Sequence, residues 1–195
     1  YAVVSYQTAF LKYYYPVEYM AALMTSVIHN PSKVAEYILS SRKMQIEILP
    51  PDINFGESEF SADHGAIRYG LSAIKSLGAP MIRAIVEERK ENGKYQSLRD
   101  FIERMSGKEL NKRAIENLIK AGALDQVAGN RRQKLMVYAE IVDAVNQEKK
   151  NAMTGQMSLF DLISDEEKEA YEIQMPKVEE YSKEELLSFE KEVLG

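Results

Sequence analysis

The chain has 195 residues, 45% of them hydrophobic and 28% charged, with a formal net charge of −5. That length suits one medium domain or two small ones, and the apolar content is enough for a packed core. There is no Cys, which excludes a disulfide scaffold, a thiolate zinc site and a cysteine nucleophile and fits a reducing, cytoplasmic setting.

Residues 5–15 read as a helix with an aromatic bias, since Tyr6, Phe10, Tyr13 and Tyr14 recur at three- and four-residue steps. Pro16 suits the first turn of a second helix, whose Met20, Leu23, Met24, Val27 and Ile28 keep helical spacing. Asn30-Pro31 breaks it, and a third helix over roughly 32–44 buries Val34, Tyr37, Ile38 and Ser41. Ile46-Glu47-Ile48-Leu49 reads as a short strand stopped by Pro50-Pro51. Residues 58–70 read as a β-hairpin turning at Asp63-His64-Gly65. From Leu71 the pattern is helical almost to residue 150, in pieces 71–76, 80–92, 97–106, 111–121 and 131–147, separated by Gly-containing punctuators. In 97–106, Leu98, Phe101, Ile102 and Met105 form a core stripe behind Ser97 as N-cap. Residues 151–155 resemble a linker, and 161–185 an acid-rich solvated connector. No apolar run approaches the roughly 18 residues needed to span a bilayer. No secretory leader is visible. Both ends of the chain read as cuts in a longer protein.

The negative net charge argues weakly against wholesale nucleic-acid binding, yet the charge is uneven. Residues 104–134 hold eight Lys/Arg (Arg104, Lys108, Lys112, Arg113, Lys120, Arg131, Arg132 and Lys134) against three acids. A local basic face is what a phosphate backbone responds to. Leu71 to Arg83 reads as a short helix, a Leu-Gly-x-Pro hairpin and a second helix beginning at Pro80. In this reading Gly78 takes positive φ and lets a ligand approach closely. The first amides of the second helix, at Ala79 and beyond, then favour a phosphate oxygen, with Lys75 and Arg83 adding charge. The competing reading is a plain αα-turn with a Gly cap. The device repeats: helix 111–121 ends in a hairpin at Gly122, and Gly129-Asn130-Arg131-Arg132 opens a long helix. Such a pair can grip duplex phosphates without reading bases. The expected DNA-binding set is Lys75, Gly78, Ala79, Arg83, Lys112, Arg113, Lys120, Gly122, Asn130, Arg131 and Arg132.

Gln156-Met157-Ser158-Leu159-Phe160 carries two readings. One is a helix start capped by Ser158. The other is an extended docking peptide, with Leu159 and Phe160 as apolar anchors and Gln156 as an amide contact. A tether of modest affinity becomes useful when the same protein also grips the DNA that its partner encircles.

These blocks resemble the alpha subunit of bacterial replicative DNA polymerase III, a C-family polymerase. Tyr6 to Lys12, Tyr15 to Leu23, Leu49 to Asn54 and Ala66 to Lys75 look like its fingers region. Asn111 to Ala114 and Leu118 to Asp125 look like its second unit, and Gly155 to Phe160 like its clamp-binding motif. The closing Glu190 to Gly195 fits the same family, so the likeness covers essentially the whole chain. The first hairpin departs from the usual Lys-Gly-Val-Gly: here it is Lys75-Ser76-Leu77-Gly78, one Gly short.

The resemblance implies a mainly α chain with a small β hairpin and a tandem helix-hairpin-helix domain. Residues 1–57 would be late fingers, 58–150 the DNA-binding domain, 151–165 a linker with the clamp peptide (Gln156, Met157, Ser158, Leu159 and Phe160), and 166–195 a connector toward an oligonucleotide-binding barrel. The implied partners are double-stranded primer-template DNA, the sliding clamp and the rest of the polymerase III holoenzyme, without a membrane. No catalytic residue, metal ligand or cofactor is expected in this stretch, and Mg2+ belongs to the parent polymerase. Asp52, Glu57, Glu59 and Asp63 show no Asp-x-Asp spacing and read as solvated. His29 and His64 read as turn or cap residues. No Gly-rich nucleotide loop appears. The alternative is a stand-alone helix-hairpin-helix repair or scaffold protein without polymerase activity.

Overall fold

A computed structural model describes residues 1–153 and 173–195 of the chain. The candidate docking peptide at 156–160 lies outside the described residues. Three helices come first: α1 (Ala2–Tyr14), α2 (Pro16–Ser26) and α3 (Pro31–Lys43). Pro16 and Pro31 both sit in a first helical turn, where a missing amide costs nothing. Asn30 caps α3 by accepting from the Lys33 amide at 3.2 Å.

Strands β1 (Ile48–Leu49), β2 (Ser61–Asp63) and β3 (Ala66–Arg68) form one sheet in the order β1-β3-β2. β3 pairs parallel to β1, Ile48 opposite Ile67, and antiparallel to β2. The hairpin turns at His64 (φ 49°) and Gly65 (φ 85°), with Asp63 accepting from Arg68 Nε at 2.7 Å. This sheet, α2 and α3 share a small core of Met20, Ala21, Met24, Val34, Ile46, Phe60 and Ile67. α1 buries no residue. Its Phe10 and Tyr14 rings lie 4.5 Å apart on an exposed face.

After a single 3-10 turn (Leu71–Ala73) come α4 (Ala79–Asn92), α5 (Leu98–Met105), α6 (Lys112–Lys120), α7 (Arg131–Met153) and α8 (Lys183–Leu194). They enclose a larger core to which Ile85, Phe101, Leu118, Leu124 and Ile141 all contribute. The expected stripe on α5 is buried in full, and Ser97 accepts from the Asp100 amide at 3.0 Å. Asn111 caps α6 in the same way, by accepting from the Ala114 amide. Gly93, Gly107, Gly122 and Gly129 all take positive φ at the punctuating turns.

Arg89 fastens the two halves: its guanidinium, 7% exposed, donates to the carbonyls of Ile53 and Gly56 and to Glu57 Oε1. The Ile53 amide donates to Ala123 O at 2.9 Å, tying the loop after β1 to the second hairpin.

Three expectations change. The helix expected over 71–76 is only one 3-10 turn, because Ile74 is already extended and Ser76 is left-handed. The last long helix runs to Met153, into the stretch read as a linker. Residues 173–195 are not a loose connector. They pack along the loop before α7 and onto α6, with Val193 in the main core and Ile173 and Met175 against it. Ser182 and Glu185 close a capping box at the start of α8.

Candidate nucleic-acid interface

The first hairpin runs from Lys75 to Ala79. Its left-handed residue is Ser76 (φ 68°), whereas Gly78 is extended at φ −77° and serves as the N-cap of α4. The expectation of positive φ at Gly78 is therefore corrected. An N-cap needs extended backbone, so the reversal falls two residues earlier, at the position where the related motif usually has its first Gly. An L-residue pays about 1–2 kcal/mol for that conformation. Asn117 of α6, 8% exposed, holds the turn by donating to Lys75 O at 2.7 Å.

Among the described residues no side chain caps α4, and Gly78, Ala79 and Pro80 are exposed. The Ala79 amide thus opens to solvent at the positive end of the helix dipole. Arg83 lies one turn on, exposed and without an ion pair among the described residues. Lys75 is more restrained, since its ammonium donates to Glu192 O at 2.6 Å. A cleft of about 220 Å³ beside this hairpin brings Lys75 and Ser76 together with Arg113, Lys120 and Glu192.

The second hairpin is built differently. Gly122 (φ 80°) turns the chain after α6, and Asn130 caps α7 by a reciprocal pair with Gln133. Asn130 also donates to Val178 O at 3.0 Å, so its amide group is committed to the tail. Arg131 is 7% exposed and lies inside the turn. It forms a bidentate pair with Asp125, a 2.9 Å contact to Glu190 Oε1 and a bond to Lys120 O. Burial works against its charge, but the carboxylates of Asp125 and Glu190 outweigh it and raise its pKa.

The amides that open α7 are occupied as well. Arg131 N donates to Glu180 Oε2 at 2.8 Å and Arg132 N to Glu180 Oε1 at 3.1 Å. Burial opposes charge on Glu180, but the amides of Arg131, Tyr181 and Arg132 prevail and hold its carboxyl below the usual range. The Arg132 guanidinium lies over the Tyr181 ring, 5.5 Å from its centroid, and has no ion pair among the described residues.

The basic stretch is consequently less available than its sequence suggests. Arg104 pairs with Glu88 and Asp100, Lys108 with Glu88, Lys112 with Asp143, and Lys120 with Glu116 and Glu192. Lys134 is fully buried and donates to Leu124 O and Val127 O, and desolvation lowers its pKa. It braces the hairpin from within. Of the eight cations, Arg113, Arg132 and the buried Lys134 have no ion pair among the described residues, and of these three only Arg113 and Arg132 are exposed. Lys112 is nearly as available, because its pair is solvent-screened at 45% and 69% side-chain exposure. The expected set therefore divides. Gly78, Ala79, Arg83, Lys112, Arg113 and Arg132 face outward. Lys75 and Lys120 touch the tail, Gly122 shapes the turn, and Asn130 and Arg131 are held inside the fold. The roles of Arg89, Lys134 and Glu180 were not anticipated; only the Ser-x-x-Glu spacing at 182–185 hints that the tail is structured.

The acids near the sheet do not converge. Asp52 is buried rather than solvated and accepts from the amides of Asn54 and Phe55. Desolvation raises its pKa. Asp63 serves Arg68 and His64, and Glu57 serves Arg89. Among the described residues no three His, Asp or Glu side chains gather as a metal site. Among them no helix is long and apolar enough to cross a membrane.

Comparison with known proteins agrees with this geometry. A helix-hairpin-helix motif family matches residues 45–134, from the end of α3 through the opening of α7. The DNA polymerase III subunit alpha of Borreliella burgdorferi is 40% identical over 100% of this chain and 17% of its own length. That of Thermus aquaticus is 49% identical over 64% of this chain and 10% of its own, and that of Chlamydia trachomatis 40% identical over 80% and 12%. The chain thus spans less than a fifth of the relatives it matches. By these matches it belongs to the DNA polymerase III alpha subunit family, over the part of that family that includes the helix-hairpin-helix motif.

Proposed function

We propose that this chain is the duplex-gripping and clamp-docking segment of a bacterial replicative DNA polymerase, contributing hold on the template rather than phosphoryl transfer. The observation that carries the reading is the first hairpin: a helix start at Gly78-Ala79 without a side-chain cap, and an exposed Arg83 one turn away without an ion pair, both among the described residues. Exposed helix-start amides and an arginine are suited to one backbone phosphate. Arg113, Lys112 and Arg132 supply further charge from α6 and α7. Contacts of this type carry no base code, so binding should be insensitive to sequence and steeply dependent on salt.

Synthesis itself is assigned to carboxylates elsewhere in such a polymerase, together with its Mg2+; of the acids near the sheet, Asp52, Glu57 and Asp63 are committed to a turn or an ion pair. Gln156 to Phe160 is the proposed clamp peptide, with Leu159 and Phe160 as its anchors, and the cytoplasm is the setting. Titrating the chain separately with primed duplex and with a sliding clamp, each at two salt concentrations, tests both halves. Leu159→Ala with Phe160→Ala should abolish clamp binding and spare duplex binding. Unchanged clamp affinity in that double variant would sink the peptide assignment. Lys112→Glu with Arg113→Glu should weaken duplex binding, and full retention would remove α6 from the interface.

A further inference from the structure

The two hairpins differ in one respect that neither the fold nor the family motif requires. The helix start at the first is open, while that at the second is filled by a carboxylate from the chain's own tail. Glu180 places one oxygen on the Arg131 amide and the other on the Arg132 amide, at 2.8 and 3.1 Å. A phosphate would present two oxygens to the same pair of donors. Farther along the tail, Glu192 sits on Lys120 Nζ at 3.1 Å, and that lysine lines the cleft beside the first hairpin together with Lys75 and Arg113.

We propose that the acidic tail is a built-in phosphate mimic: Glu180 and Glu192 occupy the second hairpin and the cleft in the absence of nucleic acid, and duplex phosphates displace them. The inference rests on the duplex-gripping reading above and adds a regulatory step to it.

The anchoring of the tail fits displacement at the level of side chains. Val193, 2% exposed, stays in the main core, and Glu190 remains on buried Arg131. The Glu192 carboxylate, by contrast, is 58% exposed, so leaving Lys120 requires only a rotamer change. Glu180 lies in the extended stretch before α8, outside any helix or strand. A carboxylate carries one negative charge and two acceptors, whereas a duplex offers neighbouring phosphates that reach both hairpins at once. The tail thus sets a threshold that an isolated anion does not pass and a duplex does. This selects extended nucleic acid over free phosphate or nucleotide.

The test compares three forms of the full 195-residue chain by fluorescence anisotropy on a labelled random-sequence duplex, across a salt series. These are the unmodified chain, Glu180→Gln/Glu192→Gln, and Glu179→Gln/Glu184→Gln. The last carries the same charge change on exposed tail acids without ion pairs among the described residues. The first pair should bind about tenfold tighter than the unmodified chain, because no internal carboxylate has to be displaced, with a salt slope at least as steep. The second pair should change affinity less than about twofold, as a screened long-range effect. Equal gains in the two pairs would overturn the mimic and leave duplex binding standing. Absence of binding by all three forms at low salt would instead overturn the duplex-gripping reading, and the mimic with it. A second measurement needs no variant: the carboxyl carbon resonance of Glu180 should shift when duplex saturates the unmodified chain, and a resonance that stays in place refutes displacement.

Discussion

Gly122→Ala is the sharpest probe of how the second hairpin is held. At φ 80° the backbone lies in the left-handed region, where an L-residue costs about 1–2 kcal/mol. A Cβ at this position would overlap Arg131 Nη2 and approach Arg131 Cζ and Asp125 Oδ2 at 3.0 Å. Those atoms form a bidentate pair whose arginine side is 8% exposed, so neither group can move aside without losing the other. Disrupting a fully buried pair costs about 3–5 kcal/mol when one partner is left uncompensated, and Asp125, with a side chain 41% exposed, brings this pair below that range. Displacement rather than deletion recovers part of that, and the sum comes to at most about 4 kcal/mol. Urea unfolding followed by far-ultraviolet circular dichroism measures it directly. In an Arg131→Met background the same substitution should cost only the backbone share, about 1–2 kcal/mol, since the side chain it strikes is gone. A cost below about 1 kcal/mol in the parent chain would show that Arg131 does not fill the turn, and the division of the basic residues would have to be redrawn.

Glu88 should give the fold an acid limb. Lys108 chiefly, then Asn92 and Arg104, hold its carboxyl at about 2 against burial, compared with an ordinary 4.5. Since the folded value is the lower one, its contribution is complete above about pH 4.5 and is lost as pH falls toward 2. The gap corresponds to at most about 3 kcal/mol, and to roughly 2 once the half-exposed Lys108 is discounted for screening. Glu88→Gln should flatten that part of the stability-pH curve; an unchanged curve would contradict the pairing. Lys134→Ala should cost about 3 kcal/mol, because it takes the ammonium donor from the Val127 carbonyl, leaves Leu124 O with only the Val127 amide, and opens a cavity. A loss under about 1 kcal/mol by thermal unfolding would argue against its bracing role. Ser76→Gly should stabilise by about 0.5 kcal/mol, relief of left-handed strain exceeding the extra freedom of the unfolded chain. A lowered urea midpoint would contradict the backbone assignment at the first hairpin.

The sequence was informative where structure is local. Asn30, Ser97 and Asn111 announce helix starts because a cap is a bond across three residues, and the α5 stripe follows from periodicity alone. Gly122 and Gly129 mark turns whose positive φ few other residues adopt without strain. The availability of charge was not legible in this way. Arg131 meets Glu190 59 residues away and Lys120 meets Glu192 72 residues away, separations that no window of the sequence spans. The tail misled for a related reason. An acid-rich string reads as solvated until its acids are seen to have cationic and amide partners, and its few apolar residues, Ile173, Met175 and Val193, are too sparse to show periodicity. At the first hairpin, Gly78 drew attention as the glycine, while the strained position was Ser76.

The central claim, that the outward cations of the two hairpins grip duplex phosphates, is tested most directly by a salt-resolved duplex titration of Arg83→Gln/Arg113→Gln/Arg132→Gln against the unmodified chain. These three make no ion pair among the described residues, so their loss should leave the thermal midpoint nearly unchanged. The account predicts weaker binding to every duplex sequence alike, with the salt slope reduced by about one for each phosphate contact removed. Unaltered affinity and slope in a correctly folded triple variant would contradict it.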